Sequence, residues 1–340
     1  MKVAITLLLL FVAGLSEAQH FPGENFKGNE DQLARQMEAT IKQVVRQRYP
    51  DSHMKRFNQA KSLGCFDATF EVNHDISASL KYGLFAKPAR YRAHVRFANA
   101  STSDDADRDL RGLSIRVGGV SGNPVWGNPG FQDFVLNSHP VLFAATPEEF
   151  LSFIEAQRNE SVIWHLLTPT NWDSLFILLT ARNNPTSPFD IRYWSTTPYQ
   201  LGDNQAVKYS VRPCSNFQSE LPGELTNNYL RAAMQNHLEN TDACFDFMVQ
   251  RQTNNDDMPI EDASKEWDEA DSPFVPVARL LIKQQPFISA EAIKQCEETA
   301  FNPWQSLPEH KPLGRMNYVR KQVYHALTRF RKEHNRKLEN

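Results

Sequence analysis

Ala68-Thr69-Phe70-Glu71-Val72 is the first of four β-prone runs that decide how this chain folds; the others cover 91–97, 112–117 and 134–143. Each is rich in β-branched and aromatic residues. Turn formers separate them, as in Ser121-Gly122-Asn123-Pro124. Such spacing predicts an antiparallel meander. Ahead of it, Leu33, Met37, Ile41, Val44 and Val45 recur at helical spacing and predict a helix with one buried face. Behind it, helical patterns cover 147–157 and 172–182, further strands 207–212, 245–250 and 277–282, and a last helix 315–337. No repeat or linker divides the series, so the expectation is an α+β chain with a large antiparallel sheet in a single domain.

The 340 residues are enough for one large core or two smaller ones. With 41% hydrophobic and 23% charged residues the composition is that of an ordinary globular protein. A formal net charge of −3 gives no reason to expect nucleic acid or an anionic membrane as a partner. Fourteen glycines against 20 prolines and 22 phenylalanines argue against a glycine-rich phosphate-binding fold. Lys2 precedes an apolar run over 3–15, and Ser16-Glu17-Ala18 ends in a small residue. That layout predicts a secretory signal peptide over 1–18, too short for a membrane span. A polar lead over 19–31 and a main domain over 32–337 follow, and the protein is expected to be secreted, with no membrane span.

Export changes how the cysteines read. Cys65, Cys214, Cys244 and Cys296 are even in number and widely spaced, which predicts two disulfides with three connectivities open. Asn99-Ala100-Ser101 and Asn159-Glu160-Ser161 fit the glycosylation sequon, and Asn159, in a polar stretch, is the stronger candidate.

The chemical signal lies in the last helix. With Arg320 at the origin and 100° per residue, Tyr324 falls at about 40° and Arg331 at about 20°. A tyrosine is thereby flanked by arginines on one narrow face, although a solvated basic face would show the same spacing. Cations beside a phenol favour its ionised form, a phenolate can ligate ferric iron, and an arginine can pair with a porphyrin carboxylate.

At this point the sequence resembles the catalase superfamily, in particular its short, catalase-related branch. Phe70-Glu71-Val72-Asn73-His74-Asp75-Ile76 is similar to that family's FEVTHDI strand. Val95-Arg96-Phe97 with Arg108-Asp109-Leu110-Arg111-Gly112 resembles VRF…RDxRG, and Asn137-Ser138-His139-Pro140 resembles the NNTP turn. Pro276-Val277-Ala278-Arg279-Leu280 resembles PVGRL, and Ala300-Phe301-Asn302-Pro303 resembles AFDP. Arg320-Lys321-Gln322-Val323-Tyr324 matches the RxxxY proximal motif. The matches run in the family's order from about residue 50 to 331. The resemblance implies a catalase-like antiparallel β-barrel core with surrounding helices and a haem b site with ferric iron. Tyr324 would be the iron ligand, supported by Arg320. Arg56, Arg96 and Arg331 would bind the haem propionates, Asn137 would be the distal hydrogen-bond donor, and Phe150 would pack on the porphyrin.

One departure matters as much. The family's distal motif reads RxxHAR, whereas this chain has Arg56-Phe57-Asn58-Gln59-Ala60-Lys61, with Gln59 in the histidine's place. Ala98 stands where the assisting serine is usual. Dismutation of hydrogen peroxide needs a group that moves a proton between the two peroxide oxygens. A glutamine amide hydrogen-bonds but does not accept that proton. His139 and His53 are nearby in sequence, and His74 and His94 lie in strand-like segments; all read as structural or surface residues. No HxxxH, HExxH, GxSxG or Walker pattern points to zinc, hydrolase or ATPase chemistry. The expectation is a haem-dependent oxidoreductase acting on organic or lipid hydroperoxides with weak or no catalase activity. The alternative is a non-catalytic haem-binding or recognition protein. The oligomeric state stays open.

Overall fold

The protein is described by a computed structural model over residues 20–339; the segment expected to be a signal peptide lies outside the described residues. The chain runs α1 (Glu30–Arg48), β1 (Lys61–Val72), β2 (Arg90–Asn99), β3 (Arg111–Gly118), β4 (Phe131–Asn137), α2 (Pro147–Arg158), α3 (Val162–Leu167), α4 (Trp172–Ala181), β5 (Tyr193–Trp194), β6 (Tyr199–Leu201), β7 (Gln205–Pro213), α5 (Tyr229–Asn240), β8 (Ala243–Arg251), β9 (Val275–Ile282), α6 (Ala290–Glu298) and α7 (Gly314–Glu339). The meander β1–β4 forms as the sequence predicts. Its last strand, expected over 134–143, ends at Asn137, where the chain turns through Ser138 and Pro140 and Ser138 N–H bonds back to Arg111 O at 2.8 Å.

The sheet has the order β5-β4-β3-β2-β1-β9-β8-β7-β6 and is antiparallel throughout. Two-residue β5 closes it: Asn137 of β4 faces Trp194, and Tyr193 and Trp194 pair with Val211 and Ser210 of β7. Eight strands thus form an antiparallel barrel, and β6 lies outside the ring on β7. Alternation along each strand sets what points inward. Phe66 and Phe70 of β1, Val95 and Phe97 of β2, Leu113 and Ile115 of β3, and Phe245 and Phe247 of β8 are all fully buried in one core. Aromatic edges and faces meet across it, with Phe134 and Phe247 centroids 4.7 Å apart. Each such ring contributes roughly 1.5–3 kcal/mol by leaving water.

The helices form a second layer. Leu33, Met37, Ile41 and Val44 of α1 pack with Leu151 and Ile154 of α2 and Val319 and Val323 of α7, so the predicted apolar stripe of α1 finds its partner in the last helix. Arg315 at the start of α7 ties the three together, with bonds to Glu30 (2.5 Å), Asn29 (2.9 Å) and Glu148 (2.6 Å). Helices α3 and α4 instead leave Ile163, Trp164, Leu167, Trp172, Phe176 and Leu179 exposed. Two disulfides form among the three connectivities left open, Cys65–Cys296 and Cys214–Cys244. Asn99 is fully buried and donates to Asp105 at 2.7 Å, so its sequon is closed to modification, whereas Asn159 is exposed just after α2. Among the described residues no helix is long and apolar enough to cross a membrane.

Candidate functional site

If Phe66, Phe97, Leu113 and Leu136 point into the barrel, their neighbours point out of it. The register lines those neighbours up in two successive outward rungs. One holds Cys65, Arg96 and Ser114, directly opposite one another across β1, β2 and β3. The next holds Ala98, Gly112 and Asn137 across β2, β3 and β4. Two small residues beside an asparagine leave a shallow seat in the wall, and Gln59 fills it. A Cβ on Gly112 would come within 2.3 Å of the Gln59 carboxamide, so this packing requires glycine.

Gln59 is held by its backbone as well as its side chain. Its N–H donates to Ala100 O at 2.7 Å, its carbonyl accepts from Arg96 Nη2 at 2.9 Å, and its φ of 57° lies in the left-handed region. Its Nε2 donates to Asn137 Oδ1 at 3.5 Å, and its Oε1 accepts from Ser114 Oγ at 3.5 Å. Two sequence-predicted residues, Gln59 and Asn137, are thereby brought together. Ser114 was not predicted; its signal is its place in the rung beside Arg96, which appears only once register is known.

Beside this pair lies a cluster of guanidiniums. Arg56, Arg96 and Arg331, 275 residues apart at the extremes of the numbering, converge on the single carboxylate of Glu297 at the end of α6. Arg56 bonds the carboxylate directly, Arg96 reaches it at 3.3 Å, and Arg331 stands 3.8 Å away. Arg56 also donates to the carbonyls of Cys296, Glu297 and Thr299, and Arg331 to that of Glu297 at 2.8 Å. Burial, then Arg56 and Arg331, push Arg96 down to about 9, against the pull of Glu297. Burial lowers Arg331 to about 10. Burial works to raise Glu297, and Arg56, Arg96 and Arg331 outweigh it and hold the carboxylate below its usual range. Three cations against one anion leave two positive charges unmatched, and the buried Nε of Arg96 has no partner. The helical wheel places Arg331 on the same face as Tyr324, and its guanidinium reaches Glu297 from there.

The third group is on α7. Arg320 Nη2 donates to the Tyr324 hydroxyl at 3.3 Å, and its Nη1 donates to Thr197 Oγ1 (2.9 Å) and Asn317 Oδ1 (3.0 Å). Burial works to lower the Arg320 pKa, and Tyr324 and Tyr199 outweigh it, so the net direction is upward. Burial pushes Tyr199 up to about 12. Thr197 follows β5, whose Trp194 faces Asn137, so the strand that closes the barrel also connects the α7 group to the Gln59–Asn137 pair. Phe150 is partly buried on the face that α2 presents to Val323 and Leu327, with its ring 5.6 Å from Phe143.

Among the described residues, no hydrogen bond links His139 to Gln59 or Asn137, and burial lowers its pKa. His53 is exposed, 3.6 Å from Glu339. His74 is exposed beyond β1, and His94 stands 3.6 Å from Asp67. No group of three or more His, Cys, Asp and Glu suited to a metal ion occurs among the described residues.

Comparison with known proteins gives a consistent answer. The sequence model of the family described as catalase matches residues 33–184. Peroxisomal catalase of Toxoplasma gondii is 25% identical over 296 residues, covering 78% of this chain and 56% of that protein. Catalase of Cavia porcellus is 24% identical over 296 residues, covering 78% of this chain and 53% of its own. The chain thus spans about half the length of these curated relatives. Among solved structures, a fungal catalase superposes with a TM-score of 0.64 at 18% identity, covering 81% of this chain and 59% of its own. A bacterial catalase superposes with a TM-score of 0.62 at 18% identity, covering 97% and 67%.

Proposed function

We propose that this chain, whose fold is catalase-related, is a secreted haem-binding oxidoreductase that acts on peroxides, with organic and lipid hydroperoxides as better substrates than hydrogen peroxide. The residues present fit the cofactor on two counts. The arginine cluster lacks two negative charges, which matches the two carboxylates of a porphyrin, and a buried charge without a partner is costly. Tyr324 carries an oxygen able to ligate iron, and the half-buried Arg320 guanidinium donates to it. Tyr324 would hold the iron, Arg320 would hold the phenol oxygen in place, and Arg56, Arg96 and Arg331 would hold the carboxylates. Ferric haem with phenolate ligation supplies the cleavage of the O–O bond when it is bound.

The substrate preference rests on Gln59. Its amide and that of Asn137 supply N–H donors that can orient a peroxide, but neither accepts a proton near neutral pH. Ser114 is no base either. The arrangement is therefore suited to binding and orienting a hydroperoxide and poorly suited to the proton relay that efficient dismutation of hydrogen peroxide needs. The test is to reconstitute the purified protein with haemin and follow consumption of a fatty-acid hydroperoxide and of hydrogen peroxide side by side. Faster consumption of the fatty-acid hydroperoxide supports the reading. Rapid hydrogen peroxide turnover refutes the preference, and haem binding without either activity selects a non-catalytic haem-binding protein.

A further inference from the structure

Helix α6 is attached to the protein mainly by the end that meets the arginines. Over residues 291–298 only Cys296 is buried, while Glu291, Ile293, Lys294, Gln295 and Glu298 are exposed. A helix this short, with a single buried side chain over 291–298, gains too little from apolar burial to be ordered by it. Two links hold it. Cys296 is bonded to Cys65, with their Cα atoms 5.6 Å apart. The next residue, Glu297, carries the carboxylate shared by Arg56, Arg96 and Arg331. Cys65 stands directly opposite Arg96 in the β1–β2 ladder, so the covalent link lands on the same rung as the most buried of the three arginines.

We propose that the Cys65–Cys296 disulfide is the positioning bond of the arginine site. It fixes the end of α6 on the Arg96 rung, so that Glu297 and the last carbonyls of α6 hold Arg56, Arg96 and Arg331 ready for a ligand with two carboxylates. Breaking it frees α6 and speeds release of that ligand. The identity of the ligand rests on the haem reading; the lock itself does not. In the opening step a dithiol reductant attacks the S–S bond. Cys65 and Cys296 each gain one electron and one proton, and the dithiol closes to its own disulfide. The second bond, Cys214–Cys244, joins the residue just past β7 to β8 and lies on neither strand that carries Cys65 and Arg96, which makes it an internal control.

The experiment uses the full chain as wild type, C65S/C296S and C214S/C244S. Each is loaded with haemin, and transfer of haemin to an excess of a haem-scavenging acceptor protein is followed by absorption. Amide hydrogen exchange over 291–299 is measured without ligand. Release should be faster by about tenfold or more in C65S/C296S and in dithiol-treated wild type, and unchanged in C214S/C244S. Exchange over 291–299 should accelerate in the same two samples. Equal release from wild type and C65S/C296S overturns the proposal, and so does equal acceleration in both double variants. If C65S/C296S does not fold, C214S/C244S compared before and after reduction and alkylation gives the same comparison, because Cys65–Cys296 is its one remaining disulfide. If wild type takes up no haemin, the cofactor reading fails, and hydrogen exchange alone then decides whether the bond locks α6.

Discussion

Gln59 and Asn137 meet amide to amide, the Gln59 Nε2 donating to Asn137 Oδ1 at 3.5 Å over a seat that Gly112 leaves open. The pair supplies donors and acceptors but no base. Gln59→His restores a base at this position, and histidine tolerates the left-handed backbone better than a β-branched residue would. Hydrogen peroxide turnover by the haem-loaded variant should rise by roughly 10²–10⁴ over wild type. Oxygen evolution at saturating peroxide checks it; no gain with haem intact would mean that the seat does not face the reacting oxygens.

Tyr324→Phe removes the oxygen that accepts from Arg320 and leaves the half-buried guanidinium with Thr197 and Asn317 as acceptors. The variant should lose haem, or bind it with a ferric spectrum unlike that of wild type. A titration with haemin followed by absorption decides the matter. An unchanged spectrum would exclude Tyr324 as the ligand.

The fold was legible where local pattern and tertiary contact agree. The apolar stripe from Leu33 to Val45 is the face that packs on α7, and the β-prone runs 91–97 and 112–117 lie within β2 and β3. Arg320 and Tyr324 were legible because one helical turn separates them. Glu297 was not. It follows a cysteine in a polar helix, and its partners Arg96 and Arg56 lie 201 and 241 residues away. Nothing local distinguishes it from a solvated glutamate. Two-residue β5, which closes the barrel, leaves no periodic signal, and the direction of Arg331 depends on α6, which the sequence did not reveal.

The arginine cluster predicts how ligand retention depends on pH. Without ligand Arg96 is pushed down to about 9. Two added carboxylates would raise it, so above that pH the loaded state holds more protons than the free state and binding weakens as pH rises. Retention of haemin should be constant from neutrality to about pH 8 and fall beyond about pH 9. Equilibrium titrations across that range, with Arg96→Lys as comparison, test the sign. Binding that strengthens at high pH would contradict it.

Arg315 gives a prediction about stability alone. It is nearly buried and joins α7 to Glu30 of α1 and Glu148 of α2. Arg315→Ala leaves Glu30 buried without its partner, a loss of about 3–5 kcal/mol, reduced because Glu148 is about a third exposed. Burial works to raise both glutamates, and Arg315, joined by backbone N–H donors, outweighs it and holds them below the usual carboxylate range. Their contribution is therefore present above the ordinary glutamate value and lost as pH falls through the lowered ones. Thermal unfolding should show a Tm lower by several degrees at neutral pH, with the gap closing on acidification. A gap that persists in acid would locate the effect elsewhere.

The most direct test of the account is the absorption spectrum of the purified protein after haemin is offered. A Soret band with high-spin ferric character, saturating at equimolar haem and abolished or altered by Tyr324→Phe, is the predicted result. No Soret band at saturating haemin would contradict it: the fold would stand, and the arginine and tyrosine groups would serve some other ligand.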